Sequence, residues 1–144
     1  MMNEKKTPGA LMAAESAECM RVFSATALQT VDHGNFGAPK AIYTIARGSS
    51  DAAANILSYE IMRELGVPVT SLPPSVFSLG KGVALQGAGA VVISQSGASD
   101  DLVQSAKGAA QAGAKVLVIT NQPDSPVEAA SDVAVSIGAG PELA

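Results

Sequence analysis

The sequence predicts an α/β protein, a three-layer αβα sandwich built on a five-stranded parallel sheet. Three observations carry that reading. Short apolar runs, AIYTIA at 41–46, VPVTSL at 67–72, AVVI at 90–93, KVLVIT at 115–120 and DVAVSI at 132–137, alternate with segments of helical periodicity. Such alternation with short loops specifies right-handed βαβ crossovers. The first of them, at 41–46, is apolar on both faces, as expected of a strand covered by helices on each side. Finally, hydrophobic residues make up 47% of the chain while aromatics are only 3% and Trp is absent. Such a core must be filled by Ala, Val, Leu and Ile in close-packed layers, which favours helices laid on a sheet.

Each element follows from local chemistry. After Pro8-Gly9, residues 10–30 read as one helix rich in Ala, Met, Glu and Leu. Cys19 falls on the same helical stripe as Met12, Phe23 and Ala27, so core packing is its expected role. A loop marked by Gly, Asn and Pro39 follows, and His33, the only histidine, is expected at its surface. The first strand stops at Arg47-Gly48-Ser49-Ser50-Asp51. From 52 to 65, Ala54, Leu57, Ile61 and Leu65 form an i, i+3/i+4 stripe, and Gly66 ends the helix. Glu60 and Glu64 sit on its flank, a solvated face.

Pro68 stands near the start of the second strand, where its missing N–H does least harm. Pro73-Pro74 breaks that strand, and Ser75 to Ser78 read as a short turn of helix. The third strand leads into SQSGASDD at 94–101, then into an amphipathic helix over 99–111 with Leu102, Val103, Ala106, Ala109 and Ala110 on one face. A fourth strand, a short helix over 125–130 and a fifth strand complete the pattern. The expected strand order is 2-1-3-4-5, of flavodoxin-like type, with the switch point between strands 1 and 3.

Composition narrows the function. At 144 residues the chain is one ordinary domain. Its net charge of −4 lacks the basic stripe that nucleic-acid binding requires. No apolar run approaches the roughly 20 residues needed to span a bilayer. Glu15, Glu18 and Arg21 interrupt any secretory h-region, so the expected location is cytoplasmic. The single cysteine agrees with a reducing compartment. No Cys/His cluster suggests a metal and no glycine-rich nucleotide motif follows a strand, so neither metal nor cofactor is expected.

What remains are two serine-rich loops at the switch point, Gly48-Ser49-Ser50 after strand 1 and SQSGAS after strand 3. A helix N-terminus offers unpaired N–H groups and the positive end of the macrodipole. Ser49, Ser50, Ser94, Ser96 and Ser99 would add hydroxyls, while Gly48 and Gly97 let backbone close around an anion. Simple capping by Ser99, with Asp100 and Asp101 in the first helical turn, would explain one loop but not both. The two carboxylates would repel a phosphate, so they should face solvent.

The segments ARGSSDAAA (46–54), PPSVFSL (73–79), ISQSGASDDL (93–102), AGAKVLVITN (112–121) and SDVAVSIGAGPE (131–142) together resemble the sugar isomerase (SIS) family. Within it the pattern is nearest to the isomerase part of the glutamine–fructose-6-phosphate aminotransferases and to SIS-type glucosamine-6-phosphate deaminases. The resemblance implies that Ser50, Ser94, Gln95, Ser96 and Ser99, with Ser49 adjacent, bind the phosphate of a sugar such as fructose 6-phosphate or glucosamine 6-phosphate. It also implies a homodimer. Family isomerases carry two SIS copies in tandem, with catalytic Glu, Lys and His in the second. Residues 1–37 are therefore expected to form an N-terminal helix and loop, and 38–144 the first SIS copy, with no glutaminase domain and no catalytic residue assigned. The alternative is a non-catalytic module that senses a phosphosugar.

Overall fold

In the computed structural model, which describes residues 8–141, the five strands form one all-parallel sheet in the order β2-β1-β3-β4-β5. The strands are β1 (Ile42–Ile45), β2 (Val69–Ser71), β3 (Gly89–Ser94), β4 (Lys115–Thr120) and β5 (Val133–Ser136). Each lies within a residue or two of its apolar run. Side chains alternate between the faces, as a period of two requires. Ile45, Ala90, Val92, Val116 and Val118 meet Leu102, Ala106 and Ala109 of helix α4 (Asp100–Gln111) on one side. On the other, Ile42, Val91 and Ile93 meet Ala54, Leu57 and Ile61 of α2 (Ser49–Leu65).

Of the expected α4 face, Val103 is half-buried and Ala110 is exposed. Its place is taken by Ser105, fully buried because its hydroxyl donates to Asp101 O (2.6 Å) and lies 3.2 Å from Pro74 O. That contact ties α4 to the short α3 (Ser75–Ser78). The expected helix over 125–130 is reduced to a 3-10 turn at Glu128–Ala130. Pro126 restrains the residue before it from helical backbone.

The N-terminal helix departs most from expectation. Helix α1 (Ala10–Ala27) stops short of residue 30 and buries no residue. Cys19, Met12 and Phe23, expected in the core, are exposed. The reason is position: α1 is fastened beside the end of β5, where Thr26 Oγ1 donates to Ile137 O (2.6 Å) and Gln29 Nε2 to Ser136 O (2.9 Å). Its apolar stripe therefore meets no sheet. Leu65, at the last position of α2, is also exposed and stands at the rim of an apolar groove of 640 Å³. The groove is floored by Val91, Leu117, Ile119 and Val135.

Candidate functional site

Strands β1 and β3 are parallel neighbours, with Ile45 level with Val92, so the segments that follow them emerge at one edge of the sheet. After β1 come Ala46 and Arg47, then Gly48 at φ 57°, and α2 begins at Ser49. Ser49 and Ser50 are thus first-turn residues of a helix that was expected to start at 52. The left-handed backbone of Gly48 ends the strand abruptly enough to start the helix three residues early. A side chain at 48 would meet open space. Ser49 is exposed and Ser50 half-buried, and neither hydroxyl has a partner among the described residues.

After β3 the chain folds onto itself. Ser94, only 3% exposed, accepts the Gly97 N–H at its Oγ (3.2 Å). Ser96 Oγ accepts the Ala98 N–H (3.4 Å). Both distances are at or beyond the long end of the hydrogen-bond range. Gly97 has φ 66° and is buried: a Cβ there would collide with Ser125 and stand 2.9 Å from Thr120 Oγ1. Its carbonyl accepts the Val127 N–H (3.0 Å). Ser99 occupies the N-cap position of α4 with extended backbone, and its carbonyl accepts from Leu102 and Val103. Its hydroxyl, however, makes no capping bond, so simple capping by this side chain does not account for the loop.

The edge has a third and a fourth wall. The Gln95 carbonyl accepts the Asn121 N–H (3.1 Å) and lies 3.4 Å from Thr120 Oγ1. Asn121, buried, uses its side chain on the segment after β5: Nδ2 donates to Gly140 O (2.7 Å) and Oδ1 accepts the Ala139 N–H (2.7 Å). Gln95, Asn121, Ala139, Gly140 and Glu15 of α1 line a cavity of 230 Å³.

On the opposite flank, Arg47 Nε pairs with Asp101 Oδ2 at 3.1 Å. The two residues line a 650 Å³ cavity with Asp100, Ser75, Ser78 and Gln104. Asp101 is half-buried, so the expectation that both aspartates would face solvent holds only for the exposed Asp100. The guanidinium of Arg47 supplies the compensation that keeps a carboxylate beside the cleft.

The structure therefore brings Ser49, Ser50, Ser94, Gln95, Ser96 and Ser99 to one edge with Gly48 and Gly97. His33 is exposed, and Glu60 and Glu64 pair with Arg63 on the surface of α2. Arg47, Thr120, Asn121 and Ser125 were not singled out from sequence. A signal was available: Thr120-Asn121 closes the strand adjacent to β3, where polar residues that become buried must find partners in neighbouring loops. Among the described residues no group of three acidic, His or Cys side chains could hold a metal. No helix among them is long and apolar enough to cross a membrane.

A doubly wound parallel sheet with a polar cleft at its switch point defines the class of this domain. The chain belongs to the SIS domain family, whose model matches residues 37–143. It is 35% identical over 103 residues to the glutamine–fructose-6-phosphate aminotransferase (isomerizing) of Leifsonia xyli subsp. xyli, covering 72% of this chain and 17% of that protein. Among solved structures, a Silicibacter pomeroyi protein designated a phosphosugar isomerase is 35% identical, with a TM-score of 0.72 over 94% of this chain and 40% of that one. The C-terminal domain of the Francisella tularensis glucosamine-fructose-6-phosphate aminotransferase is 26% identical, with a TM-score of 0.83 over 99% of this chain and 43% of that one. This chain thus spans less than half the length of each of these relatives.

Proposed function

We propose that residues 38–144 are the phosphosugar-binding SIS domain of an amino-sugar phosphate isomerase or deaminase, the first copy of a tandem pair. The observation that carries this reading is the set of uncommitted hydroxyls at two adjacent helix N-termini, Ser49 and Ser50 on α2 and Ser99 on α4. A phosphate dianion between them would accept from these hydroxyls and face the positive ends of both helices. Gly97 and Ala98 N–H groups, now held by long bonds to Ser94 and Ser96, could turn to the same anion.

Gripping the phosphate would leave the open-chain sugar to be presented to acid/base groups that move a proton between C1 and C2, of the glucosamine 6-phosphate to fructose 6-phosphate type. Those groups would come from a second SIS copy. Location in the cytoplasm and a homodimer belong to the same proposal, supported by kinship with the aminotransferases. On this reading the 144-residue chain alone binds a phosphosugar weakly and turns over little.

The test is calorimetric titration with glucosamine 6-phosphate, fructose 6-phosphate and unphosphorylated fructose. The two phosphates should bind and the free sugar should not. Because the Ser99 hydroxyl makes no capping bond, Ser99→Ala should leave the melting temperature unchanged and weaken phosphosugar binding about tenfold or more. That factor follows from about 1.5–3 kcal/mol for a hydrogen bond to a charged partner. Equal binding of phosphorylated and free sugar would sink the reading, and so would an unaffected variant.

A further inference from the structure

Directly behind the SQSG turn lies a buried, unpaired hydroxyl among the described residues. Ser125 is 5% exposed, and its Oγ has no hydrogen-bond partner among the described residues. It packs against Gly97 so closely that a Cβ on that glycine would overlap both Oγ and Cβ of the serine. Two devices hold it there. Asp124 adopts left-handed backbone at φ 56°, a conformation Asp tolerates better than most residues and which turns the chain inward. The Val127 N–H then bonds to the Gly97 carbonyl (3.0 Å), locking the segment to the loop.

Native proteins pair nearly all buried polar groups, so an orphan calls for a reason. Packing does not supply one, since alanine would fill the same space without the cost of a desolvated hydroxyl. The neighbourhood does: the loop it touches is held by two long hydrogen bonds, Gly97 N–H to Ser94 Oγ (3.2 Å) and Ala98 N–H to Ser96 Oγ (3.4 Å). An anion that took over those N–H groups would release the serine oxygens as acceptors within the buried turn.

We propose that Ser125 is a positioning residue of the anion loop, whose buried hydroxyl takes its hydrogen-bond partner only in the phosphate-bound arrangement of residues 94–99. The inference rests on the phosphosugar reading of the cleft and adds a residue that acts through the loop behind it. It carries a signature that an ordinary packing role would not share: removing the hydroxyl weakens the bound state and spares the free one.

The experiment compares the wild-type chain, Ser125→Ala and Ser99→Ala by thermal melting without ligand and by titration with glucosamine 6-phosphate and with inorganic phosphate. Ser125→Ala should melt within about 2 °C of wild type or above it, because it loses only an unsatisfied group. It should bind both ligands about tenfold more weakly, by a similar factor for each, since the loop reads the phosphate and not the sugar. Unchanged affinity in Ser125→Ala alongside weakened Ser99→Ala would overturn the role of Ser125 alone. A variant that fails to fold or melts several degrees lower without ligand would show the hydroxyl to be structural and overturn it as well. If wild type bound neither ligand, the reading of the cleft would fall and this inference with it.

Discussion

At position 97 a single methyl group would be enough to disable the cleft. The left-handed backbone of Gly97 disfavours any Cβ by roughly 1–2 kcal/mol, and Ser125 and Thr120 already occupy the space it would need. Gly97→Ala should lower the free energy of unfolding by about 2 kcal/mol or more, measured by urea denaturation, and should abolish the proposed phosphosugar binding. Much of this corner was legible from residue types alone: a glycine amid serines at a strand end reads as backbone closing on something small. The partners were less so. Asn121 and Ser125 meet the loop only because β4 lies beside β3, and that adjacency is a property of the folded sheet. The hydroxyl of Ser99 shows the opposite limit, since its N-cap position follows from sequence but its hydrogen bond does not form.

Strands were the most readable elements, because short apolar runs bounded by turn residues have few other uses in a chain of this kind, and the central β3 is buried along its whole length. Helix α4 was readable too, apart from Ser105, whose burial depends on a carbonyl at Pro74. Helix α1 was misread for a physical reason. An apolar stripe records which residues would be buried if a surface met them, and α1 is attached by its C-terminal end to the rim of β5 instead. The entry into β5 depends on a small clamp. The Asp132 backbone N–H donates to Val116 O (2.8 Å), while its carboxylate accepts from Val116 N–H and Lys115 Nζ (both 2.8 Å). Burial acts to raise the Asp132 carboxyl, but those hydrogen bonds and the Lys115 charge outweigh it and hold it below its ordinary value. The unfolded chain therefore takes up this proton at higher pH than the folded one. The resulting stability is complete above the ordinary carboxylate range, about pH 4, and is lost as pH falls through the folded value. Asp132→Asn should cost about 1 kcal/mol at pH 7, and urea melts at successively lower pH should show a shallower acid loss than wild type.

For the molecule as a whole, strand order and switch point followed from the βαβ pattern, and the sheet has that order. The uneven cover of the α2 face did not, because no local pattern states how far one helix will reach across five strands. The same global view separates the walls of the cleft. The segments after β3, β4 and β5 are bonded to one another through Gln95, Asn121, Ala139 and Gly140. The start of α2 is joined to α4 across the cleft by Arg47 and Asp101, an ion pair whose arginine side chain is 57% exposed. Salt weakens such a pair and scarcely touches the Asn121 bonds. Amide hydrogen exchange should therefore find Asn121 and Ala139 opening together at a rate indifferent to ionic strength, while Ser50 and Asp51 exchange faster as salt rises. One jaw of the cleft is thus held by neutral bonds and the other by charge, and a ligand's charge would be felt first by the second.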